Sequence, residues 1–167
     1  MFYYIFVLHK VTITMTSSVL LPLHSYLRWL VLAALIFSIY RAARGYFSRR
    51  SFSKSDDAIR HWTATIAHIQ FVVGMLVYLQ SQLVKYFWND FAAARANLEL
   101  LFFGLIHSVL MLLAIVVLSI GSATAKRKAS DVEKFKTMLV WYIVAFLIII
   151  IAIPWPFSPL ANRPLLR

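Results

Sequence analysis

"TMLVWYIVAFLIIIIAI" occupies residues 137–153, and no residue in it carries a formal charge. Its length approaches the ~20 residues that an α-helix needs to cross the hydrocarbon core of a bilayer. An unbroken apolar run of this kind presents no polar face to water, so it reads as a span and not as one amphipathic wall of a soluble core. Three similar blocks precede it, Leu23–Tyr40, Trp62–Leu83 and Leu98–Ile120. Across the 167 residues 62% are hydrophobic and 14% are charged, a balance shifted well away from that of soluble domains. The expected fold class is all-α, an integral membrane four-helix bundle, because a bilayer admits only helices or closed barrels.

The connectors set the direction of the spans. The first carries Arg41, Arg44, Arg49, Arg50, Lys54 and Arg60, and the third carries Lys126, Arg127, Lys128, Lys134 and Lys136. The opposite side holds Lys10, Lys85, Arg95, Arg163 and Arg167. Basic residues in short loops are retained in the cytoplasm, so both rich connectors belong inside and both termini outside. The net charge of +11 is thus explained by orientation. A nucleic-acid partner would need a basic face on a soluble fold, so none is expected.

Three domains follow: a leader at 1–19, a transmembrane domain at 20–157 and an outer tail at 158–167. The leader "MFYYIFVLHKVTITM" has an apolar run too short to span, no basic residue before it and no small-residue cleavage site, so a cleaved signal is not expected. Met15 is an alternative start. Ser130 followed by Glu133 has the capping-box pattern ahead of span four, and Ser55 with Asp56 and Asp57 suits the start of a helix leading into span two. Gly121 is a natural stop for span three. In "IPWPFSPL" the prolines end span four, and residues 86–97 read as a short interfacial helix or lid.

Ionisable groups inside spans are costly and mark candidate sites. They are His24, Arg28, His68 and His107, with Glu99 at the outer mouth of span three and His61 at the interface. His24 and Arg28 lie one turn apart on one face, suited to a ligand and a clamp for an anionic group, or to a headgroup-level histidine beside a snorkelling arginine. His68 alone reads more naturally as a histidine satisfied by a neighbouring hydroxyl or amide. Gly104, one turn before His107, leaves room for close helix packing or for a flat cofactor. Taken together, three of the four spans contribute a histidine, and two imidazoles from facing helices can hold one b-type haem. The metal-ligating candidates are therefore His24, His68 and His107, and the cofactor-binding set adds Arg28 and Gly104. At a rise of ~1.5 Å per residue, His24 and His107 differ in depth by roughly 7 Å and His68 and His107 by roughly 10 Å. Neither pair is level; the outer pair fits slightly better and has Arg28 close by, and the axial partners stay open.

In "LHSYLRWLVL", "HIQFVVGMLVYL", "IHSVLMLLAIVVLSIG" and "KFKTMLVWYIVAFLIIIIAIPWP" the chain resembles a family of small four-span proteins of Bacteroidota commonly labelled cytochrome b. The resemblance covers residues 20 to 157. It implies haem-mediated electron transfer between a membrane donor, such as a quinol or a redox complex, and an acceptor, in a bacterial inner membrane, with His24, His68 and His107 at the matching positions. One departure is that family members carry an acidic residue just before the span-three histidine, where this chain has Ile106.

Two other classes compete. An accessory scaffold subunit of a larger membrane complex requires no haem. A copper or proton transporter suits histidine, but the methionines do not pair and no acidic relay crosses the spans. The absence of cysteine excludes disulfides, thiolate metal centres, iron–sulfur clusters and covalent c-type haem. No phosphate loop, HExxH or nucleophile elbow is present.

Overall fold

A computed structural model describes residues 2–159, 161, 163 and 164, with side chains from Val19 onward. The side chains of the leader, including His9, Lys10 and Met15, and the terminal Arg167 lie outside the described residues. Among the described residues all regular structure is helical: α1 (Phe2–Phe47), α2 (Lys54–Gln80), α3 (Gln82–Asn89), α4 (Phe91–Ala94), α5 (Leu98–Leu101), a π-turn (Phe102–Ile106), α6 (His107–Arg127) and α7 (Asp131–Ala152). Four stretches are long and apolar enough to cross a membrane, Val19–Phe47, Lys54–Gln80, Leu98–Arg127 and Asp131–Ala152.

Each stretch continues past its apolar run at the charged end, because helical hydrogen bonding does not stop where lipid does. Gly121 does not end the third span, and α6 runs on to Arg127. The glycine serves packing instead, since a Cβ there would overlap Trp141 of α7. Helix α2 ends at Gln80, before the expected Leu83, where Ser81 turns extended (φ −65°, ψ 122°) and caps α3. The outer connector is two short helices and not one, broken at Asp90, whose carboxylate accepts the Ala93 amide at 3.2 Å.

The helix starts follow local chemistry. At α7, Ser130 accepts the Glu133 amide at 3.2 Å, the N-cap half of the expected capping box, while the Glu133 carboxylate takes the Ser130 hydroxyl at 3.2 Å. At α2 the cap is Ser53 and not Ser55. The Ser53 hydroxyl accepts the Asp56 amide at 3.3 Å, and the Asp56 carboxylate accepts the Ser53 amide at 3.0 Å. The end of α1 is a Schellman turn, with Arg50 N–H donating to Gly45 O and Arg49 N–H to Tyr46 O. Arg49 takes the left-handed position, at φ 47°, that glycine normally fills.

The chain divides into two compact units, one of Met1–Leu27, Val72–Ser108 and Pro154–Arg167, the other of Arg28–Phe71 and Val109–Ile153. In the second unit segments of α1, α2, α6 and α7 pack around buried polar contacts. The hydroxyls of Ser38 and Thr63 meet at 2.6 Å. Arg60, 4% exposed, donates to Ser122 O at 3.1 Å and to Ser122 Oγ at 2.6 Å, and its own carbonyl accepts the Tyr142 hydroxyl at 2.7 Å. Asp56, 1% exposed, is enclosed by Arg41 Nη2 at 2.7 Å and by both terminal nitrogens of Arg50 at 2.9 Å. Arg41 and Arg50 of the basic first connector therefore close the α1–α2 turn.

Removing a partner from a buried, charge-compensated cluster leaves the other charge unsatisfied. Asp56→Ala is expected to destabilise the protein by about 3 kcal/mol, read as a lowered midpoint of unfolding in mixed micelles. Arg49→Gly relieves a left-handed L-residue and is expected to raise the same midpoint, by about 1 kcal/mol of stability.

Candidate functional site

In the first unit the two outer-half histidines come together. His24 on α1 and His107 at the first position of α6 have ring centroids 6.4 Å apart and planes at 76°. Both are half-buried. The two rings meet edge-on, at the same distance that separates His107 from the Phe103 ring, 6.4 Å. This is the pair to which the depth count from span midpoints gives the smaller offset.

Two features hold these rings. A Cβ added to Gly74 of α2 would stand 2.9 Å from His24 Cε1 and 3.2 Å from Nδ1, so α2 approaches the imidazole only because residue 74 has no side chain. His107 follows the π-turn, and its amide donates to Phe102 O, five residues back. A π-turn widens the ladder and leaves a carbonyl seeking another donor. Here the Tyr78 hydroxyl donates to Gly104 O at 2.7 Å, and Trp88 Nε1 donates to the Tyr78 oxygen at 2.7 Å. Phe102, fully buried, lies 5.7 Å from the His107 ring, and Phe103 lies 6.4 Å from it. The guanidinium of Arg163 in the tail sits 5.0 Å over Phe103 and is bonded to Glu99.

Gly104 does not keep space for a cofactor. A Cβ there would overlap the ring of Phe87, a fully buried residue of α3, so the glycine seats the lid against the π-turn. Of its two open uses, close packing is the one realised.

His68 belongs to the second unit and is satisfied there. Its Nδ1 lies 2.6 Å from Ala64 O and its Nε2 3.0 Å from Ser119 Oγ. A carbonyl only accepts, so Nδ1 carries the hydrogen. Ser119 also lies 2.6 Å from Ile115 O, and its hydroxyl is shared between that carbonyl and the imidazole. His68 thus ties α2 to α6 as an exposed, hydrogen-bonded histidine. Among the described residues no group of three or more His, Cys, Asp or Glu is placed to hold a metal ion. Arg28 lies in the same unit as His68, with its guanidinium 5.4 Å over the Trp29 ring. His61 is exposed and packs edge-on to Trp62 at 5.7 Å.

Gly74, Tyr78, Trp88 and Ser119 escaped the sequence reading. An isolated glycine, tyrosine or serine in a span has no periodic signature, and the partners of these four come from other helices. The π-turn left no trace in composition either. No family model, no curated protein and no solved structure matches the chain.

Tyr78→Phe removes the hydroxyl that satisfies the π-turn and is expected to cost about 1 kcal/mol, the scale of single interhelical hydrogen bonds in membrane proteins. Unfolding in mixed micelles measures it. Faster amide exchange confined to residues 102–107 would locate the effect, and unchanged exchange there would show that the hydroxyl does not hold the turn.

Proposed function

We propose that the chain is an integral membrane b-type cytochrome that holds one haem through His24 and His107 and passes single electrons from a membrane donor, such as a quinol or a redox complex, to an acceptor. The observation that carries this reading is the approach of two imidazoles from different helices, α1 and α6, to 6.4 Å, close enough that both would be able to hold one iron. The aromatic surroundings of His107 suit an apolar macrocycle, and the lack of cysteine fits non-covalent haem. When bound, the haem supplies reversible one-electron exchange, and the protein's own part is to orient and bury it.

The residues divide that task. His24 and His107 are the side chains that would hold the iron. Gly74 fixes the flank of His24. Tyr78 and Trp88, through the π-turn carbonyl, fix the helix start from which His107 projects, taking the orienting role that a carboxylate at position 106 would otherwise fill. His68 is left to hold helices together. The charge bias of the connectors supports a bacterial inner membrane location with both termini outside.

The test is a reduced-minus-oxidised absorbance spectrum of the purified protein. His24→Ala and His107→Ala are each expected to lower bound haem by about tenfold or more at unchanged protein level, while His61→Ala and His68→Ala retain it. A colourless wild-type protein that co-purifies with large membrane partners would replace this reading with that of an accessory subunit.

A further inference from the structure

At the turn between α6 and α7 the second unit opens a cleft of about 300 Å³, lined by Lys128, Glu133, Lys136, Thr137, Val140 and Trp141. Its walls differ along its length. Lys128 and Lys136 stand at the charged end, and among the described residues neither takes part in an ion pair. Of the nearby carboxylates, Asp131 is paired with Lys134 at 3.4 Å, and Glu133, which lines the cleft, accepts the hydroxyl of Ser130. One turn further along α7, Val140, 51% exposed, and the Trp141 indole make the wall apolar. Trp141 is held in place because Gly121 lets its Cβ seat directly against α6.

We propose that this cleft binds the phosphate headgroup of an anionic glycerophospholipid. Two ammonium groups against the single Glu133 carboxylate leave the cleft net positive, and with the Thr137 hydroxyl they match a phosphodiester, while the volume accommodates a phosphate with its glycerol. A soluble anion would leave the Val140 and Trp141 wall unused. A diacyl lipid covers it, because that wall is the beginning of the apolar run of α7 and indole rings settle where headgroups meet acyl chains. Basic pockets between membrane helices on the cytoplasmic side recognise anionic headgroups by the same combination of charge and apolar wall.

The experiment uses the full chain reconstituted in phosphatidylcholine vesicles, with tryptophan quenching by brominated phosphatidylglycerol compared against brominated phosphatidylcholine. The wild type is expected to be quenched preferentially by the anionic lipid, and Trp141→Phe removes that excess. The double variant Lys128→Gln with Lys136→Gln is expected to weaken the preference about tenfold, while Lys126→Gln, in the same connector, leaves it unchanged, all at matched helicity by circular dichroism. Equal loss in Lys126→Gln would mean a diffuse surface potential and no site. Displacement of the lipid by inorganic phosphate would mean a soluble-anion site, and absence of any preference in the wild type would likewise overturn the proposal.

Discussion

A hydrogen-bonding group placed among lipid-facing helices has no water to fall back on, and this structure is organised around meeting that demand from within. Several polar groups of the second unit are answered from another helix: Ser38 by Thr63, Arg60 by Ser122, the Arg60 carbonyl by Tyr142, and His68 by Ser119. Each such bond is worth about 1 kcal/mol in a membrane. Its larger effect is on specificity, because any other register would strand both partners at a higher cost.

Close approach is the second requirement. Lipid tails are as apolar as leucine, so helices in a bilayer associate through contact and not through exclusion of water. The glycines supply that contact against rings: Gly45 against Phe135, Gly74 against His24, Gly104 against Phe87 and Gly121 against Trp141. Two of these contacts border the histidine pair, which links the packing of the first unit to its chemistry. The π-turn belongs to the same design. It shifts the helix ahead of His107 and exposes a carbonyl, and that carbonyl ties the shifted turn to Tyr78 and Trp88.

The charged ends have a double use. Arginines of the first connector bias the chain's orientation and, at Arg41 and Arg50, neutralise the buried Asp56. In the third connector Lys134 is spent on Asp131, while Lys128 and Lys136 are left facing a cleft. Identical residue types therefore divide into structural and ligand-facing roles that composition does not separate.

The linear order of residues was enough to determine that the chain is helical, that four segments are long and apolar enough to cross a membrane, and that Ser130 and Glu133 start the last of them. Those properties depend on runs of hydropathy and on groups within one turn of each other, and both are local. The choice of histidines was not local. His24, His68 and His107 look alike in sequence, each an imidazole in an apolar span, and only packing shows that two of them face one another while the third is occupied by Ala64 and Ser119. Depth counting gave this pair the smaller offset without bringing it level, because a helical turn that departs from the α repeat, and the way helices rotate and slide against each other, are decided by contacts between residues far apart in the chain. The same reason hid the roles of Gly74 and Gly104, since a missing side chain has meaning only through the ring that fills its space.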